Sequence, residues 1–406
     1  MLPPWLTVEY IQKALQAYSS DTKLKVLKLW AKPATAKGEN FIAAMTRIYV
    51  DFEQGDGSVH KKSYILKQNL TGIPETKIFE EYDVYNREMD MYDIVLPKLT
   101  KILREVGITD KIAADAIIVD RERTAMILED LAPLQYRNAD RLQQLDMVHA
   151  KLTLDMLAKF HAAATVLHER EPKILSTNYY SHFFSRGKNG FGEVFRGLFR
   201  AFIRYIKTQP ELNKNYGAKL EKTLENIMEY AARALDVNDS DLKTLVHGDC
   251  WTTNIMFQYG GEGNPLSVIP IDFQVSTLTS PVVDLHYFFN TSLREEVKEK
   301  ESELVQYHYY ALKRTLESLS FQGRIPSLFE YQIEFERRRF CGALIAHTFQ
   351  PIFLYAGKED PEYSNLYMDT PSGIRFQDDM FANVKTQKII ERNLPFLNVK
   401  GLLDPQ

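Results

Sequence analysis

The chain has 406 residues, 45% of them apolar, which is enough for two or three domains with real hydrophobic cores. Its 50 basic and 54 acidic side chains leave a formal charge of −4, which excludes the one-signed surface typical of proteins that bind nucleic acid or membrane surfaces. Two cysteines exclude a disulfide framework and a cysteine zinc cluster. No apolar run approaches the roughly 18 residues of a membrane span, so we expect a cytoplasmic protein without membrane or nucleic-acid partners.

The first third of the chain changes from a helical to a strand-like pattern. Apolar residues spaced by three, four or seven predict helix over 7–30, and a second helix is predicted over 77–96, ending at Pro97. Around the second helix lie β-type runs bounded by turn residues, which predict a small antiparallel sheet. The acidic residue Glu129 marks the expected crossing to the rest of the chain. The β-type runs are 47–52, 62–67, 116–119 and 124–128.

Beyond the crossing, the pattern is mostly helical. Short strand-like runs interrupt it in the middle, and the loop 350–377, rich in proline and glycine, is expected to lack regular structure and to cover a pocket. We detect neither internal repeats nor low-complexity tracts. The predicted helices lie within 145–161, 220–235, 304–316, 340–346 and 389–394.

The candidate chemistry is concentrated between the middle helices. Residues 245–257 read LVHGDCWTTNIMF and place Asp249 five positions before Asn254, and residues 266–274 read LSVIPIDFQ, an apolar run leading to Asp272. Phosphoryl transfer needs a base near the incoming hydroxyl and hard oxygen ligands for Mg²⁺. Asp249 suits the catalytic base, although an ordinary carboxylate is a weak base, so that orienting the hydroxyl would matter most. Asn254 and Asp272 suit the metal.

A lysine and a glutamate nearer the start of the chain extend this pattern. Lys67 ends a β-type run, so its ammonium could reach the nucleotide phosphates while the strand stays buried. Glu88 lies on the predicted helix and would hold the lysine extended through an ion pair. The alternatives are Lys61 and Lys62 for the lysine, and Glu80, Glu81 and Asp83 for the glutamate.

These parts follow the order found in kinase-like phosphotransferases, and their motifs are specific. Residues 246–257, VHGDCWTTNIMF, resemble the HGDxWxxNxMF signature of the insect ecdysteroid kinase-like family, relatives of choline kinases and aminoglycoside phosphotransferases. Residues 271–274, IDFQ, resemble that family's IDFQ. The resemblance extends from GENF at 38–41 through LEDL at 128–131 to Asp284, and so covers nearly the entire chain. It supports Lys67 and Glu88 over their alternatives.

The resemblance implies an α+β fold of the two-lobed, protein-kinase-like kind, with a small antiparallel-sheet N-lobe and a larger, mostly helical C-lobe. Residues 1–130 would form the nucleotide-binding lobe with a helical N-terminal extension. Residues 131–406 would form the catalytic and substrate-binding lobe.

Further site residues follow from the same resemblance. The backbone of Glu129 and Leu131 would bind the adenine edge, and Asn40 would bind nucleotide beside the single glycine of the phosphate loop, Gly38. Ala43 stands where many relatives carry serine, so a hydroxyl contact to phosphate would be absent.

Two further residues are assigned supporting parts. By resemblance, Asp284 is a structural carboxylate that braces the catalytic loop. His247 is interpreted as a hydrogen-bonded brace, because Asp249 already serves as the base.

The sequence therefore predicts an ATP- and Mg²⁺-dependent kinase that phosphorylates a hydroxyl of an ecdysteroid or another lipophilic alcohol. One alternative keeps this chemistry but uses a cationic acceptor such as choline or an aminoglycoside. A third hypothesis, from a different class, is a catalytically silent nucleotide- or ligand-binding protein, which the glycine-poor phosphate loop favours.

Overall fold

The computed structural model describes residues 2–33, 43–69, 77–175, 179–180, 182–261, 263–357 and 362–405. The predicted phosphate loop, including Gly38 and Asn40, lies outside these residues. Within them, an antiparallel sheet near the N-terminus precedes a mostly helical region. This confirms the predicted α+β, two-lobed fold class. The division at residue 130 stays a prediction.

The N-terminal sheet has five antiparallel strands in the order β1-β2-β3-β5-β4. Lys67 lies on the central strand, β3, opposite Met45 on one side and Met126 on the other. The turn between β2 and β3 contains Gly57 with φ 86°, a left-handed conformation that suits glycine. The strands are β1 (Lys25–Pro33), β2 (Ala43–Glu53), β3 (Val59–Asn69), β4 (Ala116–Asp120) and β5 (Ala125–Glu129).

The helix predicted over 7–30 is wrong beyond its first half. Helix α1 spans Val8–Ser19 and ends where Ser20 takes a left-handed conformation with φ 56°. The chain then enters β1, where Val26 is buried whereas Leu27 is 54% exposed, the alternation of a strand. Spacings of three and seven along the sequence mimicked a helix, and pairing with β2 decided the outcome.

The helix predicted over 77–96 is broken into shorter pieces and continues past its predicted end. Pro97 lies in the first turn of a following helix, where a missing N–H is tolerated. A turn of π-helix immediately before it widens the backbone at this junction. The pieces are α2 (Lys77–Glu81), α3 (Val84–Asp90), the π-helical turn (Met91–Val95) and α4 (Leu96–Arg104).

Helices dominate the rest of the chain and include the five predicted from periodicity. The region holds α5 (Met147–Arg170), α6 (Gly190–Lys207), α7 (Pro210–Leu212), α8 (Ala218–Leu235), α9 (Val282–Thr291), α10 (Glu295–Lys298), α11 (Glu301–Ser318), α12 (Leu328–Arg337), α13 (Arg339–Phe353), α14 (Pro371–Phe381) and α15 (Val384–Val399). Its short strands are β6 (Tyr136–Asn138), β7 (Thr244–Val246), β8 (Ile255–Tyr259), β9 (Pro265–Pro270) and β10 (Thr277–Thr279).

Two small sheets hold the catalytic stretch. Strands β6, β8 and β9 form one sheet, and β7 pairs with β10 in another. In the first sheet Ile255 pairs with Pro270, and the Ile271 N–H donates to the Asn254 carbonyl at 2.9 Å. The two halves of the sequence motif are therefore adjacent in space.

The prediction that the segment 350–377 lacks regular structure is wrong. It contains the end of α13, a 3₁₀ turn at Tyr363–Leu366 and most of α14. Thr370 caps α14 by accepting from the Gly373 N–H, and Pro371 occupies the first turn, so the proline begins a helix.

The catalytic helix α9 is buried along its whole length. Helix α13 approaches it closely at Gly342, where a Cβ atom would lie 2.6 Å from Asn290 Nδ2. A side chain there would push the two helices apart. Among the described helices, none is long and apolar enough to cross a membrane.

Candidate active site

Lys67, Glu88 and Asp272 meet where the N-terminal sheet faces the catalytic stretch. The Lys67 ammonium lies 2.7 Å from Glu88 Oε1 and 3.1 Å from Asp272 Oδ1. Lys67 and Glu88 are buried, whereas 32% of the Asp272 side chain is exposed. The cluster thus joins strand β3, helix α3 and the end of the IDFQ motif.

Charges in this cluster stabilise one another. Burial opposes the charge on Lys67, but the carboxylates of Asp272 and Glu88 outweigh it and raise the pKa of the lysine. Burial raises the pKa of Glu88 to about 6, because Lys67 offsets the loss of solvation only in part. At neutral pH the lysine is charged and most of Glu88 is ionised, as an ion pair requires.

The structure brings Lys67 and Glu88 together, and the alternatives that the sequence left open lie elsewhere, with Asp83 accepting from Asn86. Lys61 and Lys62 are exposed on β3, and Glu80 is exposed on α2, so none of them enters this cluster. Glu81 instead accepts hydrogen bonds from the backbone N–H groups at the start of α6. Sequence reasoning missed Gln274, whose amide donates to Glu88 Oε2 at 3.2 Å.

At Asp272 and Gly248 the backbone takes left-handed conformations that few residue types adopt readily. Asp272 has φ 67°, a left-handed conformation that is uncommon for a residue with a side chain. Gly248 has φ 84°, and a Cβ atom there would lie 2.4 Å from the Val275 carbonyl oxygen. The glycine of the His-Gly-Asp motif therefore allows the two loops to come into contact.

Asp249 accepts two side-chain hydrogen bonds. Asn254 Nδ2 donates to Asp249 Oδ2 at 2.9 Å, and the Tyr287 hydroxyl donates to Asp249 Oδ1. Although part of Asp249 reaches solvent, its carboxyl group is desolvated, and this burial raises the pKa of Asp249 to about 7. The expectation of an ordinary, weakly basic carboxylate is therefore corrected: this group is a stronger base than a free aspartate.

Asn254 and Asp272 present oxygen atoms suited to a hard cation. The Asn254 amide nitrogen is committed to Asp249, which leaves its carbonyl oxygen as the atom that could bind metal. Asp272 binds Lys67 through Oδ1 and keeps a second carboxylate oxygen, Oδ2. One amide oxygen and one carboxylate fit Mg²⁺, which takes few protein ligands together with substrate phosphates. Across the described ranges, no group of three or more His, Cys, Asp or Glu side chains is placed to hold a metal ion by itself.

Asp284 braces the catalytic loop from the start of α9. It accepts from the backbone N–H groups of His247 at 2.8 Å and Gly248 at 2.9 Å, and from His161 Nε2 at 2.9 Å. Burial opposes ionisation, but these donors outweigh it and lower the pKa of Asp284. This is the bracing contact expected from the sequence.

His247 is neutral and structural in its contacts. Its Nε2–H donates to the Ile271 carbonyl at 3.0 Å, and its Nδ1 accepts from the Asp249 N–H at 3.3 Å. Burial lowers the pKa of His247. The imidazole thus links the two halves of the motif, as predicted for a brace.

Side-chain and backbone hydrogen bonds hold the predicted adenine-binding crossing at Asp130. Asp130 accepts from Arg47 at 2.7 Å, from Ser63 at 2.7 Å and from the Ala132 N–H at 3.1 Å. Glu129 ends β5, and within the described part of the chain the Leu131 N–H has no hydrogen-bond partner. A donor of this kind is what an adenine edge requires.

Tyr287 is a second site residue that sequence reasoning missed. It lies one helical turn after Asp284 on α9, so both side chains face the catalytic loop. The spacing Asp284-x-x-Tyr287 was visible in the sequence, and only the orientation of α9 was not.

A paired lysine on a sheet, with an aspartate on a loop and an asparagine and a second aspartate nearby, is an arrangement typical of kinase-like phosphotransferases. The chain belongs to the ecdysteroid kinase-like family, whose model matches residues 37–321. No curated protein matches the sequence significantly.

Solved structures with similar folds are distant in sequence. A macrolide 2'-phosphotransferase from Brachybacterium faecium is 13% identical, with a TM-score of 0.33 and coverage of 85% of this chain and 95% of that one. An aminoglycoside phosphotransferase from Streptomyces rimosus is 13% identical, with a TM-score of 0.31 and coverage of 84% and 98%. The aminoglycoside phosphotransferase of a streptomycin–ATP ternary complex is 14% identical, with a TM-score of 0.34 and coverage of 82% and 96%. Similarity this low says nothing about the substrate of this chain.

Proposed function

We propose that the protein is a kinase that uses Mg·ATP to phosphorylate a hydroxyl of a small lipophilic alcohol, such as an ecdysteroid. Membership of the ecdysteroid kinase-like family supports small-molecule phosphorylation. Residues 1–130 would bind the nucleotide, with its adenine against the backbone of Glu129 and Leu131. Residues 131–406 would supply the base, the metal ligands and the acceptor site.

The observation that carries this proposal is the state of Asp249. A carboxylate with a pKa of about 7 accepts a proton far more readily than an ordinary aspartate. Asn254 and Tyr287 hold its two oxygens, which fixes the direction from which an acceptor hydroxyl must approach. In the proposed reaction the hydroxyl oxygen attacks the γ-phosphorus, its proton passes to Asp249, and ADP leaves.

In this proposal the negative charge of the phosphates is neutralised by Lys67 and by a Mg²⁺ ion that Asn254 and Asp272 would hold. The Lys67 ammonium, held in place by Glu88, would pair with nucleotide phosphate oxygens. Asn254 and Asp272 would hold Mg²⁺, which when bound neutralises negative charge on the phosphates. A silent nucleotide-binding protein would need no base with a raised pKa, so the state of Asp249 favours catalysis.

Aromatic rings beside Asp249 favour a flat, apolar acceptor. Trp251 stacks on Phe353 with ring centroids 3.7 Å apart. The ring centroid of Phe349 lies 5.8 Å from that of Phe353 and 6.4 Å from that of Tyr287. Trp251, Phe349 and Phe353 are each partly exposed, so their faces offer apolar surface close to the base. Such rings also attract quaternary ammonium groups, which keeps choline among the acceptors to be tested.

The decisive experiment is a screen for acceptor-dependent ATP consumption. The acceptors are ecdysteroids, other sterols, plant phenolics, choline and aminoglycosides, with Mg²⁺ present or chelated, and products are identified by mass spectrometry. We expect a phosphorylated sterol or phenol only when Mg²⁺ is present. Phosphorylation of choline or an aminoglycoside alone would replace the lipophilic acceptor by the cationic one. No consumption with any acceptor, together with no Mg·ATP binding, would refute the kinase.

The metal assignment has its own test. Asp272→Ala should weaken binding of Mg·ATP while leaving binding of metal-free ATP much less affected, because the variant removes a Mg²⁺ ligand. Exposed Asp239 provides the matched control, Asp239→Ala. Equal affinity of wild type and Asp272→Ala for Mg·ATP would remove Asp272 from the metal site.

A further inference from the structure

Two adjoining cavities lie in the helical region, and His286 and Asn290 of α9 line the first of them. Their volumes are about 300 Å³ and about 280 Å³, and α10, α13 and α15 provide most of the remaining walls. Lys298 and Arg392 line both cavities, so these two side chains form the partition between them. Neither cavity contains a residue assigned to phosphoryl transfer.

Lys298 is a cation without a carboxylate partner. Its ammonium donates to Asn290 Oδ1 at 2.6 Å, and no carboxylate in the described ranges forms an ion pair with it. Burial lowers the pKa of Lys298 to about 8, so the side chain is still mostly protonated at neutral pH. Lys298 is partly buried and forms no ion pair among the described residues, so a bound anion would stabilise its charge.

The second cavity carries an excess of positive charge. Its lining includes the cations Lys298, Lys385, Lys388 and Arg392 against one carboxylate, Glu295. That carboxylate is already occupied in an ion pair with Arg392. The other cations are therefore not neutralised by the wall of the cavity.

Buried polar atoms along the walls also lack partners. Gln144 Nε2 and Gln350 Oε1 have no hydrogen bond among the described residues, although the two residues are only 4% and 3% exposed, and both line the second cavity. His286 lines the first cavity; its Nε2–H donates to the Phe335 carbonyl at 2.8 Å, which leaves Nδ1 as an unpaired acceptor. Buried groups of this kind normally have partners. The unpaired donor and acceptors match a ligand that carries hydroxyl groups as well as charge.

We propose that the second cavity binds a small oxyanion, a phosphate or a carboxylate, with Lys298 as its central cation. Lys385, Lys388 and Arg392 surround the anion, and the amides of Gln144 and Gln350 bind its polar groups. The site is separate from the nucleotide cleft and does not depend on the proposed kinase activity. Lys298 also donates to Asn290 on α9, so the site is linked by one hydrogen bond to the helix whose Asp284 braces the catalytic loop.

Isothermal titration of the full chain with inorganic phosphate, and separately with citrate, in an amine buffer tests this site. We expect one saturable site for at least one anion, with affinity reduced at least tenfold in Lys298→Met. Lys388→Met removes a more exposed cation from the same lining and should weaken binding less, so the site remains testable if Lys298→Met fails to fold. Phosphate binding without citrate binding assigns the phosphate class, and the reverse assigns the carboxylate class.

Two controls separate this site from the nucleotide cleft and from general charge effects. Lys67→Met removes the cleft cation, and Lys313→Met removes a lysine on α11 paired with Glu317 at 3.8 Å. Both variants should bind the anion as wild type does. Loss of binding in Lys67→Met, unchanged binding in both Lys298→Met and Lys388→Met, or no saturable binding of either anion would overturn the proposal.

Discussion

Asp249 and Asp284 both contact His247, and their pKa values are shifted in opposite directions although burial raises both. Asp284 receives two backbone N–H groups and an imidazole, and its pKa is lowered. Asp249 receives a hydroxyl and an amide, and its pKa is raised to about 7. The number and kind of donors, more than burial itself, separate a carboxylate that stays charged from one that can exchange a proton.

The strongest test of this comparison removes the carboxylate of Asp249. Asp249→Asn should lower turnover by about 10²–10⁴-fold, because an amide cannot accept the proton. Nucleotide affinity should be retained, since the Lys67 cluster is unchanged. Steady-state kinetics check the loss of turnover, and ATP titration checks the retained affinity. Asp239→Asn, at an exposed position, is the control for both measurements. Turnover equal to that of wild type would exclude Asp249 as the base.

Removing the charge of Asp284 should mainly lower the free energy of unfolding. Asp284→Asn weakens hydrogen bonds from two backbone groups and His161, at a cost of about 2–4 kcal/mol in the free energy of unfolding. The folded-state pKa is lowered, so this stabilisation is present at neutral pH and is lost as the pH falls through the folded-state pKa. Denaturant unfolding at neutral and acidic pH should show the gap to wild type narrowing in acid. A gap that is independent of pH would contradict the assigned charge.

Removing the Tyr287 hydroxyl should lower the rate by less than removing the carboxylate of Asp249. Its hydroxyl lowers the pKa of Asp249, so Tyr287→Phe should move the midpoint of the pH–rate profile to higher pH. Loss of one hydrogen bond worth about 1 kcal/mol corresponds to a roughly fivefold lower rate at neutral pH. A lower rate with an unmoved midpoint would show that Tyr287 acts only through packing.

The wild-type pH profile gives the smallest effect. Only the unprotonated form of Asp249 is a base, so the rate should rise with pH by a few fold from the weakly acid range and level off above a midpoint no higher than about 7. Bound Mg²⁺ would lower the midpoint, because a nearby cation favours the carboxylate. Rates measured across this pH range at saturating substrate concentrations test this prediction. A rate that falls with rising pH would argue that Asp249 acts as an acid.

The parts of the fold and site that could be predicted are those encoded locally. The loop from His247 to Asn254 and the motif at Asp272 each carry their chemistry within a few positions, so their adjacency followed from the order of the motifs. Lys67 could be proposed because it ends a β-type run and because the family resemblance favours it over Lys61 and Lys62. Those predictions needed no knowledge of helix orientation.

What could not be predicted depends on packing between distant segments. Tyr287 on α9 donates to Asp249 on the catalytic loop, 38 positions earlier in the chain, and no local spacing indicates that contact. Val26 and Leu29 took strand positions because β2 was available to pair, which no local spacing reveals. The cavity around Lys298 and Arg392 is assembled from helices far apart in the chain, and its charge excess is invisible in a balanced composition.

The left-handed backbone at Asp272 implies that stability and activity make opposite demands on this position. With φ 67°, the position favours glycine, and replacing the aspartate with glycine would relieve a backbone cost on the order of 1 kcal/mol. The same change would remove a carboxylate beside Lys67. A laboratory selection for heat resistance alone would therefore tend to erase this residue, whereas a selection for turnover would retain it.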